Sequence, residues 1–158
     1  MEIRVVDFEL LTRHFDKYQK GVAEIDKEKA QILESIEPMR REMQNIIAAS
    51  QGGIIVDNLT QEQRMEKFQR LQSQMVEIDK DAKYKLSKMG QKLKEEVYED
   101  IEKIVSEYSI KNSIDAVISK IETVYAAEKF EITSQILEVF KEMNIFSEYV
   151  EKSEKKES

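Results

Sequence analysis

Between Leu11 and Ile46 side chains return at steps of four and three residues for five repeats: Leu11, Phe15, Tyr18, Val22, Ile25, Lys29, Ile32, Ile36, Met39, Met43 and Ile46. Only Lys29 is polar among them. This is the seam of a coiled-coil helix about 50 Å long. A second seam follows after a break: Met65, Phe68, Leu71, Met75, Ile78, Ala82, Leu86, Met89, Leu93, Val97, Ile101 and Ile104. Two helices paired antiparallel keep a constant sum of position numbers from layer to layer. Ile46 with Met65, Met43 with Phe68, Ile36 with Met75, Val22 with Met89 and Tyr18 with Leu93 all share the value 111. Met39 with Leu71 and Ile32 with Ile78 differ from it by one, as do Phe15 with Val97 and Leu11 with Ile101. One register therefore satisfies a long antiparallel coiled-coil hairpin over its whole length, with the turn centred near Ile55.

The residues between the seams suit a reversal. Gly52 and Gly53 stop the first helix. Thr60 and Gln63 form a capping box for the second. Lys29 is the polar seam position that sets register at some cost in stability. Gly21 and Gly90 fall at the same level on opposite helices. The sequence leaves two readings of them open: a paired hinge, or close packing beside Tyr18 and Met89. Pro38 predicts a bend further along.

The chain ends have another pattern. Ile3-Arg4-Val5-Val6-Asp7-Phe8 is short and β-branched and reads as a strand. Beyond Tyr108, residues 114–120 and 122–126 read as two more strands, and Thr133 as the cap of a last amphipathic helix with Ile136, Leu137, Phe140 and Met143. The Glu/Lys/Ser tail from Ser147 is expected to be disordered. The fold class is therefore α+β, mainly α: a long hairpin on a small β-strand body. Residues 1–8 with 109–146 would form the body, 9–108 the hairpin arm and 147–158 the tail. Strands from both ends must meet, because a hairpin returns the chain to its base.

Composition narrows the function. A net charge of -7 in 158 residues argues against nucleic-acid binding. Cys is absent, which excludes disulfides and thiolate metal sites. No apolar run reaches the ~18–20 residues that span a bilayer, so stable membrane insertion is not expected. Glycines only at 21, 52, 53 and 90 leave no phosphate-binding loop or dinucleotide fingerprint. His14 is the only histidine and suits a structural role; no triad accompanies it. Asp79 and Asp81 read as a solvated helix face. The chain is expected to be no enzyme and to need neither cofactor nor metal.

The order of pieces resembles the Skp/OmpH family. The matching parts are Ile3-Arg4-Val5-Val6-Asp7, the central hairpin, Ile114-Asp115-Ala116-Val117-Ile118, Val124-Tyr125-Ala126, and Glu131-Ile132-Thr133 leading into the last helix. The resemblance implies a homotrimer whose strands build a shared body from Ile3, Val5, Val6, Ile114, Val117, Ile118, Val124 and Tyr125. It implies an ATP-independent holdase whose arms enclose unfolded outer-membrane proteins. It also implies a periplasmic location if a leader has been removed. The sequence as written opens with no basic-then-apolar leader and fits the cytoplasm as well. Family arms are strongly basic; this chain mixes both signs along its arm.

The uncharged stretch from Asn45 to Val56 marks the tip as a place for client contact through Ile47, Ile54, Ile55 and Val56, with Met43 and Met65 beside it. The same residues fit a turn folded over the end of the coil. The methionines read first as seam fillers and second as adaptable contacts. Two rivals stand beside the holdase. A coiled-coil adaptor would hold no client. A prefoldin-like subunit would place its strands between the helices, where residues 53–59 leave too little room.

Overall fold

The computed structural model describes residues 1–53 and 57–149. The elements are β1 (Ile3–Val6), α1 (Phe8–Arg13), α2 (Asp16–Ser50), α3 (Gln61–Lys111), β2 (Ala116–Ser119) and α4 (Thr133–Glu142), with 3-10 turns at Lys120–Glu122 and Glu128–Phe130. Of the described residues 74% are helical, and α2 and α3 form the hairpin that the two seams predict. By its internal contacts it divides into two compact units. One is Met1–Ala23 with the chain from Gln91 onward; the other is Glu24–Gly90.

In the first unit the two chain ends do meet. β1 and β2 pair in parallel, with Ile3 opposite Ala116 and Val6 opposite Ser119. On its other side β1 bridges to Glu131, and the Ile132 N–H donates to the Val5 carbonyl at 2.9 Å. Val6, Leu11, Phe15, Val97, Ile101, Ile104, Val105, Ile132, Ile136 and Phe140 make one buried core. The α3 seam residues Val97, Ile101 and Ile104 are buried here, where α1, α4 and β1 cover them, while Tyr18, Val22 and Leu93 are half-buried.

Three local expectations are corrected. The first helix does not run unbroken from Leu11: it is interrupted between Arg13 and Asp16. The C-terminal segment supplies the hydrogen bonds that the break frees. The Asp16 N–H donates to the Ile145 carbonyl at 2.8 Å, and the Ser147 N–H to the His14 carbonyl at 2.7 Å. His14 Nδ1 lies 2.9 Å from the Ser147 oxygen, and its ring stacks on Phe146. Histidine here is a structural clasp. Second, residues 122–126 form no strand; the chain makes a 3-10 turn and Val124 and Tyr125 stand in solvent. A strand needs a partner edge, and the single chain offers none there. Third, Thr133 does not cap α4, where Ile132 takes the N-cap position. Its hydroxyl instead accepts from the Asp7 N–H at 2.9 Å, tying α4 to the start of α1. Asp7 in turn caps α1 by accepting from the Leu10 N–H.

In the second unit the seam is real but shallow. Two helices cannot surround their own contact, so most seam side chains are half-buried, and among the described residues only Ile46, Leu71 and Arg64 are buried outright. Glu28, not Lys29, occupies the seam layer after Ile25: Lys29 is exposed, and Glu28 pairs across the hairpin with Lys85 at 2.5 Å. A Lys67–Glu42 pair at 2.9 Å also bridges the helices. α2 continues through Pro38.

The first unit's core predicts a concrete cost. Phe140 is wholly buried against Phe15. Phe140→Ala is expected to lower unfolding free energy by about 3–5 kcal/mol, read from the midpoint of denaturant unfolding.

Candidate functional site

The hairpin end is built from caps. Gly52 adopts φ +83°, and the Gly53 N–H reaches back to the Ala48 carbonyl at 2.8 Å, closing α2. The Thr60 N–H donates to Gln63 Oε1 at 2.9 Å, and the Gln63 N–H donates back to Thr60 Oγ1 at 3.2 Å. That is the reciprocal box read from the sequence. Between them lies a pair that the periodicity missed. Asp57 accepts from the Leu59 N–H at 3.1 Å and from Arg64 Nε at 3.0 Å. Arg64, only 6% exposed, takes the inward position at the top of α3, and Met65, read as the first seam residue, turns outward. The signal was an acid just ahead of a capping box and a cation one turn inside it. Burial works to raise the Asp57 pKa, but the Leu59 N–H and the Arg64 guanidinium outweigh it and hold the carboxyl below its usual range.

Of the expected tip contacts, Ile54, Ile55 and Val56 lie outside the described residues. Ile47 and Met65 are about half exposed, and Met43 is half-buried. Met43 also lines a groove that sequence reasoning passed over. Leu33 and Val76 face outward beside the seam, 58% and 64% exposed. With Ile32, Ile36, Met43 and Met75 they line an open groove of about 480 Å³, with Arg40 and Asp79 at its edge. Both residues lie one position off the seam, so a search for period-3.5 positions skips them. Residues 24–90 hold 12 acidic and 11 basic side chains, so this unit is close to neutral.

The two interior glycines differ. A Cβ at Gly21 would run into the Leu93 side chain, whereas one at Gly90 would meet nothing. Gly21 is where Leu93 packs onto the α2 backbone. The boundary between the compact units falls at Gly90 on α3 and two residues past Gly21 on α2.

The residues assigned to a shared body fall into three groups. Val5 and Val6 are buried in the chain's own core. Ile114 and Val117 are half-buried against it. Ile3 and Ile118 are more than one-third exposed, and Val124 and Tyr125 are in full solvent at 106% and 84%. Ile121 and Ile110, not picked from the sequence, are equally exposed. Beside β2 an open cavity of about 580 Å³ is lined by Phe8, Tyr98, Val105, Ile114 and Val117 among others. Among the described residues, β2 has no partner on the edge away from β1.

Residues 2–140 match the family described as outer membrane protein (OmpH-like). The chain belongs to that family. No curated protein matches the sequence. The OmpH-like family is one of periplasmic chaperones for outer-membrane proteins and not of enzymes. The match stops before the clasp of residues 145–147 on His14 and Asp16. Among the described residues no helix is long and apolar enough to cross a membrane.

Two outcomes follow from these geometries. The Asp57 pKa is lowered by folding, so its contribution is present at neutral pH and is lost as pH falls below about 4. The protection of the Leu59 amide, measured by its exchange rate relative to the unstructured chain at the same pH, should fall on acidification, and Asp57→Asn should show the lower protection at neutral pH. Gly90→Ala is expected to stabilise by up to about 1 kcal/mol through helix propensity. Gly21→Ala is expected to give less or to destabilise, because Leu93 must move. Thermal melts of the two variants compare them.

Proposed function

We propose that this chain is an ATP-independent holdase that keeps unfolded outer-membrane-type proteins from aggregating, acting as a homotrimer whose hairpins surround the client. The family match over residues 2–140 is the observation that supports this most strongly. Physical chemistry adds a reason for each part. An unfolded client exposes apolar segments in many arrangements, and a holdase must meet them with weak, adaptable contacts. A two-helix seam leaves such surface along its flanks: Leu33, Ile47, Met65, Val76 and Tyr84 are all about half exposed or more. Joining three hairpins raises the effective concentration of these contacts without any deep pocket.

Assembly has its own support. Val124, Tyr125 and Ile121 form a run of large apolar side chains left in water by a single chain, beside an unpaired β2 edge. An exposed edge with an apolar ridge is a surface that another copy completes. Ile3, Ile118, Ile114 and Val117 would join that interface, and Val5 and Val6 would support it from behind. Gly21 and Gly90 would let the hairpin flex at the unit boundary. Ile54, Ile55 and Val56 would extend the client contact to the tip. The location would be periplasmic.

Mass measurement of the intact assembly tests the first claim: a trimer is expected, and a monomer at micromolar concentration would refute it. Val124→Ser with Tyr125→Ser should dissociate the trimer while leaving helix content unchanged. With the unaltered protein, light scattering from a diluted, unfolded outer-membrane barrel should be suppressed without ATP; scattering equal to the client alone would sink the holdase reading.

A further inference from the structure

The break between α1 and α2 is not written in the residues around it. Residues 8–20 hold neither glycine nor proline, and Leu11, Phe15 and Tyr18 keep the four-and-three spacing of an unbroken helix. Ion pairs at helical spacing stand on both sides, Glu9 with Arg13 and Asp16 with Lys20. In a continuous helix the Asp16 N–H would donate to the Thr12 carbonyl, and the His14 carbonyl would accept from the Tyr18 N–H. Both groups are instead taken by the C-terminal segment, the Asp16 N–H by Ile145 and the His14 carbonyl by Ser147. The Thr12 carbonyl accepts from the Phe15 N–H at 3.2 Å, and the Tyr18 N–H donates to the Phe15 carbonyl at 3.0 Å, each in the shorter loop of a 3-10 turn. The segment thus occupies two backbone groups that a helix running through the joint would use for itself.

The end of α4 aims the segment at this place. Asn144 adopts φ +58°, a region asparagine enters more readily than most residues. Its N–H donates to the Lys141 carbonyl at 3.1 Å, and the Ile145 N–H reaches back to the Phe140 carbonyl at 2.9 Å. The reversed chain lays Phe146 on the joint. Phe146 bridges antiparallel to Phe15, stacks on His14 with ring centroids 5.1 Å apart, and holds the Lys141 ammonium 4.9 Å from its own centroid. The Arg13 guanidinium lies 5.6 Å from the Tyr149 ring.

We propose that residues 145–149 are a latch that keeps this joint broken, and that with the latch released residues 8–50 become one continuous helix. The two forms need the same N–H and carbonyl, so they exclude one another and the joint is a two-state element. A partner that takes up the extended segment therefore converts the joint, and the exposed Glu148 and Tyr149 are where it gains access.

Carbon-13 chemical shifts of residues 13–16 read the state of the joint. The full chain should show non-helical values at His14 and Phe15. A chain ending at Asn144 should move both to helical values. So should Phe146→Ser with Ser147→Pro in the full chain, which removes the stacked ring and the N–H donor. Unchanged shifts along α4 show that the surrounding core has kept its fold. Asp16→Pro added to the shortened chain should restore the non-helical values, because proline suits the first position of a helix and not its interior. If either released protein keeps α4 and still shows non-helical values at His14 and Phe15, the proposal is overturned. The break is then held by burial of Leu11 and Phe15 and by the Asp7–Thr133 bond, and the C-terminal segment only fills it.

Discussion

The layer-by-layer contact of α2 with α3 is the constraint from which the other features follow. A seam between only two helices has no third surface to close it. Where α1, α4 and β1 are added, the seam becomes core: Val97 and Ile101 are almost wholly buried and Phe15 joins Phe140. Where nothing is added, between Glu24 and Gly90, the same periodicity leaves side chains half in water. The hairpin unit is held together by its caps, its half-buried seam and ion pairs such as Glu28–Lys85 and Glu42–Lys67. Exposed pairs of this kind contribute little each, about 0–1 kcal/mol, and serve mainly to exclude other registers. A chain with this economy has apolar flank to spare, and a chaperone is a use for it.

Charge is distributed in a way that fits this division. The net charge of the whole chain is -7, yet residues 24–90 are within one charge of neutral. The acidic excess therefore sits on the unit that contains the strands. The acids of α3 near its base meet Lys17, whose ammonium is hydrogen-bonded to Asp100 and lies close to Glu96; Asp100 first, and both acids together, raise its pKa. Beyond the matched family region lies a further contact. Residues 145–147 lock onto the break at His14, so that a stop in the helix becomes a docking point for the C-terminal segment.

Much was legible in the sequence because it depends on local or periodic information. The hairpin, its register, the capping box at Thr60 and Gln63 and the glycine stop at Gly52 each follow from spacing and residue type alone. So did the meeting of the two chain ends, since a hairpin leaves them no other place. The errors within the seam were of one kind. Lys29 for Glu28, and Met65 for Arg64, are each one position off. A seam tolerates such slips, because a long polar side chain can turn inward once it finds a partner, and only the facing helix supplies one: Lys85 for Glu28, the Asp57 turn for Arg64.

By itself the sequence determined that two long helices fold back on each other in a single register and that strands from both ends come together, because these depend on repeating apolar spacing. Only the tertiary structure decided which polar groups were satisfied and by what. Thr133 bonds Asp7 instead of capping its own helix, and the open backbone at His14 is filled from Ile145 and Ser147. It also decided that Leu33 and Val76 line one groove, and that Val124 and Tyr125 stay in water. Those outcomes depend on contacts between residues far apart in the chain, whose directions no local pattern specifies.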